Sequence, residues 1–114
     1  MKPSQIAKIL GAELLCSTEG REQDIQNAFS SDLMSDVLKL EADHTLLITG
    51  LANLQAVRTA EMADINCIVF ARDKRVTDEM VNLAKENGMT VIRTPFSVYR
   101  TSGELYKAGL KPVY

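Results

Sequence analysis

Three short apolar runs, at residues 45–49, 67–71 and 90–94, begin 22 and 23 positions apart (45 to 67, 67 to 90), and a helix-like segment follows each. That interval holds one strand, one crossover helix and two short loops, so the region reads β-α-β-α-β. The central run is apolar at Cys67, Ile68, Val69 and Phe70 in succession rather than at alternate positions. A strand apolar on both sides needs cover on both sides, which is the condition of a parallel sheet between helices. The expectation is an α/β domain, mainly a parallel sheet with covering helices, in which the three runs are neighbouring or near-neighbouring parallel strands.

The segments between these runs carry helix punctuation. Thr77 is suited to cap a helix that opens on Asp78 and Glu79, Val76 and Val81 are spaced as a hydrophobic staple, and Gly88 closes the segment. Ala56, Ala60 and Ala63 share one face of the segment after Asn53, which lets its backbone approach the sheet closely. The last helix is expected to start at Thr94 with Pro95 in its first turn and to run to Ala108 before Gly109, weakened by Gly103. Ahead of the repeat-like half, Ser4 is expected to cap a short helix ended by Gly11. A strand at 12–16, a polar turn at 17–24 around Gly20, a second strand at 25–29 and a helix at 33–40 follow, the last capped by Ser30, Ser31 or Asp32.

Composition narrows what such a domain does. With 114 residues, 46% of them hydrophobic, the chain has enough apolar surface for one folded domain over 1–114. A net charge of -2 with dispersed Lys and Arg argues against a nucleic-acid binder, which needs many phosphate contacts. The apolar runs fall far short of the roughly 20 residues that cross a bilayer, so the expected location is cytoplasmic, away from membranes. Cys16 and Cys67 are 51 positions apart and His44 is the sole histidine. No metal-ligand spacing and no nucleophilic relay follows from these residues, and both cysteines read as core. Neither a P-loop nor a dinucleotide glycine fingerprint occurs, so no cofactor is expected.

In a parallel sheet, ligands collect where strands give way to helices, because loops converge there and helix N-termini present unpaired N–H groups. Four such junctions are readable: Ser30-Ser31-Asp32, Thr49-Gly50-Leu51-Ala52-Asn53, Arg72-Asp73-Lys74-Arg75 and Thr94-Pro95-Phe96-Ser97. Their hydroxyls, backbone donors and cations suit a small anion; ordinary helix capping uses the same residue types, and both readings stand at this level.

Several stretches resemble the DRTGG domain family over about residues 1–110. They are Asp32-Leu33-Met34 with Val37-Leu38; Leu47-Ile48-Thr49-Gly50-Leu51 with Asn53, Gln55 and Arg58-Thr59-Ala60-Glu61; Ile68-Val69-Phe70; Thr94-Pro95; and Ser102-Gly103-Glu104-Leu105-Tyr106. No contiguous Asp-Arg-Thr-Gly-Gly string occurs, and Asp32, Thr49, Gly50, Arg58 and Thr94 are the positions most like the family's signature. The resemblance implies a fold similar to the amino-terminal domain of HPr kinase/phosphorylase and an accessory role beside other domains, such as CBS domains in regulated pyrophosphatases. It implies no kinase activity, since the 114 residues hold no P-loop.

Junction chemistry and resemblance together lead to the expectation of a non-catalytic regulatory module. It would dimerise and bind a small anion or nucleotide through Asp32, Thr49, Gly50, Asn53, Arg58 and Thr94. The alternative is a protein-interaction subunit without a small ligand, suggested by the apolar, aromatic C-terminal segment with Tyr99, Leu105, Tyr106, Leu110, Val113 and Tyr114; an enzyme finds little support. On the binding reading, backbone N–H groups near 49–53 face the anion and Arg58 supplies charge. On the structural reading Arg58 pairs with a carboxylate such as Asp32 or Glu61.

Overall fold

A computed structural model describes residues 1–17, 23–41 and 43–114, so most of the expected turn around Gly20 lies outside the described residues. In chain order the elements are α1 (Pro3–Ile9), β1 (Glu13–Cys16), β2 (Asn27–Ser30), α2 (Met34–Val37), β3 (Thr45–Thr49), α3 (Leu54–Met62), β4 (Cys67–Phe70), α4 (Asp78–Glu86), β5 (Thr90–Arg93), α5 (Val98–Ala108) and β6 (Lys111–Pro112). The strands form one sheet in the order β1-β5-β4-β3-β2-β6. The three runs are adjacent parallel strands, as their spacing requires. β2 and β6 extend the parallel part, and β1 closes the other edge by pairing antiparallel with β5.

Register explains why β4 is apolar throughout. Leu47, Ile68 and Val91 lie in one row across the sheet and pack with Ala56, Val57 and Ala60 of α3 and Met80 and Ala84 of α4. One step along each strand, Ile48, Val69 and Ile92 face the opposite side and pack with Ile6 and Leu10 near α1 and Leu105 of α5. Successive side chains point to opposite faces, so a sheet with two cores needs apolar residues in both phases. Ala56 and Ala60 are fully buried, which confirms the close approach of α3.

β2 runs Asn27–Ser30 rather than 25–29, α2 ends at Val37 rather than 40, and three helix starts differ from those expected from the sequence because other residues hold the caps. α1 begins at Pro3 rather than after Ser4; Lys2 holds the cap position and its N–H donates to Gln5 Oε1 at 2.8 Å. α2 is a single turn without a side-chain cap, because Ser31 Oγ accepts from Leu33 N and the Asp32 carboxylate turns to the neighbouring loop. α5 starts at Val98 and not at Thr94. Thr94 still belongs to the sheet ladder through its N–H to Phe70 O at 3.0 Å, and Ser97 Oγ caps the helix by accepting from Arg100 N at 3.0 Å. Thr77 does cap α4, and α5 continues unbroken through Gly103 to Gly109, whose φ of 114° only glycine adopts readily.

Both cysteines are free and buried, one facing each core. Burial pushes the Cys67 thiol up to about 12 and raises that of Cys16. Since the thiolate is the reactive form, neither cysteine is expected to react with a thiol-exchange reagent at pH 8 while the protein is folded, and both should react after unfolding. One fast-reacting thiol in the native protein would show that the β1 edge opens around Cys16.

Candidate functional site

The crossovers α2, α3 and α4 pack on one face of the sheet, as right-handed connections between successive neighbouring strands require. α5 packs on the other face. The chain leaving β4 therefore turns to one side and the chain leaving β5 to the opposite side. Loops part at such a point, and open α/β sheets bind their ligands there.

The strand end at this position has an unusual backbone. Arg72 and Asp73 are consecutive non-glycine residues in the left-handed region, with φ of 66° and 53°. Each costs about 1–2 kcal/mol relative to a right-handed conformation. Bonds to the β5 loop offset this: Arg72 N donates to Phe96 O at 2.7 Å, Asp73 N donates to Thr94 O at 2.9 Å, and the Asp73 carboxylate meets Arg93 at 3.0 Å. Arg93 also lies 3.8 Å from Glu13 on β1, and its Nε is buried without a partner among the described residues.

The same turn sends the Arg72 side chain back over β3. Its guanidinium lies on Gly50, where a Cβ would sit 2.8 Å from Nε and 3.1 Å from Cζ. Gly50 is thus small for the sake of Arg72, not because its own φ demands glycine. On its other side Gly50 N donates to Asp32 Oδ1 at 2.7 Å, and Thr49 Oγ1 donates to the same oxygen at 3.0 Å. Asp32, Gly50, Arg72 and Phe96 thus link the ends of β2, β3, β4 and β5 in one line.

The six expected site residues divide accordingly. Asp32, Thr49 and Gly50 come together, but their polar groups satisfy one another, and Thr49 Oγ1 also accepts from Leu51 N at 3.1 Å. The backbone donors of Gly50 and Leu51, expected to face an anion, are thereby satisfied inside the protein, with the Asp32 carboxylate already standing where an anion would. Asn53 caps α3 by accepting from Ala56 N at 2.9 Å. Thr94 is fully buried; its hydroxyl donates to Leu10 O at 3.1 Å and accepts from Phe96 N. Arg58 is exposed and forms no ion pair with Asp32 or Glu61, contrary to its structural reading. Arg72, Asp73 and Arg93 are the residues that the expected set omitted. The glycine three residues before a capping Asn, one strand away from an Arg-Asp pair, carries no local sign that the two touch.

Chemically, this edge presents the exposed cations Arg72, Lys74 and Arg75 beside a carboxylate. His44 sits at the opposite end of β3, 3.1 Å from Asp24 O through Nδ1. Among the described residues no group of three or more His, Cys, Asp and Glu is placed to hold a metal ion. A separate cavity of about 150 Å³ lies between β2, β6 and α5, lined by Ser30, Ser102, Tyr106 and Leu110 among others. The Ser30 and Ser102 hydroxyls in its lining meet at 2.6 Å.

The fold agrees with comparison to known proteins. A model of the DRTGG domain matches residues 5–108. The chain belongs to the DRTGG domain family. Its fold is similar to part of a solved structure of the CBS and DRTGG domains of the regulatory region of Clostridium perfringens pyrophosphatase in complex with the activator diadenosine tetraphosphate, with a TM-score of 0.80 at 19% identity. That match covers 97% of this chain and 47% of the other, so this DRTGG domain spans about half the length of its structural neighbour. No curated protein matches it. No helix among the described residues of the DRTGG domain is long and apolar enough to cross a membrane.

Proposed function

We propose that this DRTGG domain is a non-catalytic, cytoplasmic sensing module that works as a homodimer and binds a small anion, such as the phosphate of a nucleotide, at the edge where the β4 and β5 loops part. The observation that carries this is the pair Gly50 and Arg72. A guanidinium held over a Cβ-less residue at the loop divergence is positioned before any ligand arrives, which lowers the ordering cost of binding. Lys74 and Arg75 add charge on the same loop, and the second oxygen of Asp32 suits a sugar hydroxyl. The pyrophosphatase regulatory region, with its nucleotide activator, supports a role of this class. Relative to the expected residue set, Arg72 replaces Arg58 as the principal cation, and Asn53 and Thr94 shape the loops.

Thermal-shift titration with inorganic phosphate, pyrophosphate and ATP tests this, since a ligand at 100 times its dissociation constant adds about 2.7 kcal/mol of stability. Arg72→Gln is expected to weaken binding by about tenfold or more, as loss of a charge-assisted contact does, with a melting temperature within about 2 °C of the parent because, among the described residues, the Arg72 side chain makes a single long hydrogen bond, 3.5 Å to Gly50 O. Absence of a shift with all three ligands would leave the interaction-subunit reading, which the exposed Tyr99 and Tyr106 favour, whereas equal affinity in Arg72→Gln would place the anion away from this edge and overturn the proposed site.

A further inference from the structure

We propose that the solvent face of α5 is the surface on which two copies of this chain pair, with their α5 helices parallel about a two-fold axis and crossing at Gly103. At 100° per residue, Gly103 falls in the middle of the exposed arc, opposite buried Thr101 and Leu105. Tyr99 and Tyr106 stand on one flank of Gly103, and Arg100 and Lys107 on the other. The tyrosines are 89% and 69% exposed, far more than this domain's other aromatic residues except the C-terminal Tyr114.

Gly103 is the second observation. It lies within a regular helix without a left-handed φ, and a Cβ there would meet nothing within 4 Å. Nothing in the domain's own packing needs a glycine where alanine would favour the helix. A missing Cβ at the centre of an exposed aromatic face instead permits close approach of another backbone.

Charge complementarity selects the occupant and its direction. A two-fold axis along the helices sets the left flank of each α5 against the right flank of the other. Tyr99 then faces Arg100 of the second copy, and Tyr106 faces Lys107, so each tyrosine ring meets a cation. An antiparallel pair would set tyrosine on tyrosine and Arg100 against Lys107, a cation against a cation. Arg100 already stacks one face of its guanidinium on Phe96, 3.6 Å from the ring centroid, which leaves the other face for a second ring. Tyrosine and arginine are also the side chains that most often dominate binding at the centre of an interface.

The inference rests on the homodimer part of the proposed function and is independent of the anion site. Sedimentation equilibrium of the full chain tests it. Gly103→Arg is expected to raise the dimer dissociation constant about tenfold or more. At a dilution where both proteins are monomeric, its melting temperature should equal or exceed that of the parent, because the new side chain enters open space. The double substitution Arg100→Gln with Lys107→Gln should weaken the parallel pair but would strengthen an antiparallel one. A dimer unaffected by Gly103→Arg, or strengthened by the double substitution, overturns this interface and leaves dimerisation standing. A parent protein that is monomeric at every concentration overturns both. Phosphate titration of Gly103→Arg reads the anion site separately.

Discussion

Replacing Phe70 with alanine is expected to cost about 3–5 kcal/mol of folding stability, a large share of the roughly 5–15 kcal/mol that holds a domain of this size together. Phe70 is fully buried at the carboxyl end of β4, in the core that also holds Leu47, Ala60, Met80 and Val91. Its neighbours across the strands, Thr49 and Arg93, are anchored by ladder bonds, and its carbonyl accepts from Thr94 N at 3.0 Å, so the backbone cannot collapse far into the space a truncated side chain leaves. Urea unfolding followed by circular dichroism would measure the loss, and Phe70→Leu, which leaves a smaller void, should lose less than half as much. A cost below about 1 kcal/mol for Phe70→Ala would mean that the surrounding methionines refill the site and that the core is less specifically packed than its burial indicates. Because Ala71 and the left-handed Arg72 follow directly, the same substitution should also weaken anion binding at the loop divergence.

Asp32→Ala is expected to have the second largest effect, about 2–3 kcal/mol, although Asp32 itself is exposed. The reason lies in its partners. Thr49 is fully buried and Gly50 is buried, and Asp32 Oδ1 accepts from the hydroxyl of one and the N–H of the other. Removing the carboxylate strands two donors and releases the loop that positions Gly50 beneath Arg72. Asp32→Asn keeps an oxygen in the same place, so it should cost only about 1 kcal/mol, the difference between a charged and a neutral acceptor. Equal stability of the alanine variant and the parent in urea unfolding would show that water replaces the carboxylate without penalty.

These two positions also separate what could be read from the chain and what could not. Phe70 was legible as a core strand residue because strand phase and helix phase are local: an unbroken apolar run of strand length between capped amphipathic segments has few ways to be buried. The β3, β4 and β5 strands, the Thr77 cap, the Gly109 stop and the close approach of α3 through Ala56 and Ala60 are all of this kind. Asp32 was legible only as a polar residue near a helix start. A capping residue and a residue that braces a neighbouring loop have the same type and the same local surroundings, so the misplaced starts of α2 and α5 share one cause.

By itself, then, the sequence determined the parallel α/β core, the DRTGG resemblance and the carboxyl edge of the strands as the place where polar loops gather. The tertiary structure alone decided which of those loops touch. The face on which α5 packs sets the loop divergence between β4 and β5, and the left-handed turn at Arg72 and Asp73 swings a guanidinium across to a glycine 22 residues earlier in the chain. Such contacts depend on the order and handedness of strands, which involve the whole sheet at once, while hydrophobic period and caps act within a few residues. That is why Gly50 read as a backbone donor in the chain and stands in the fold as the space that Arg72 occupies.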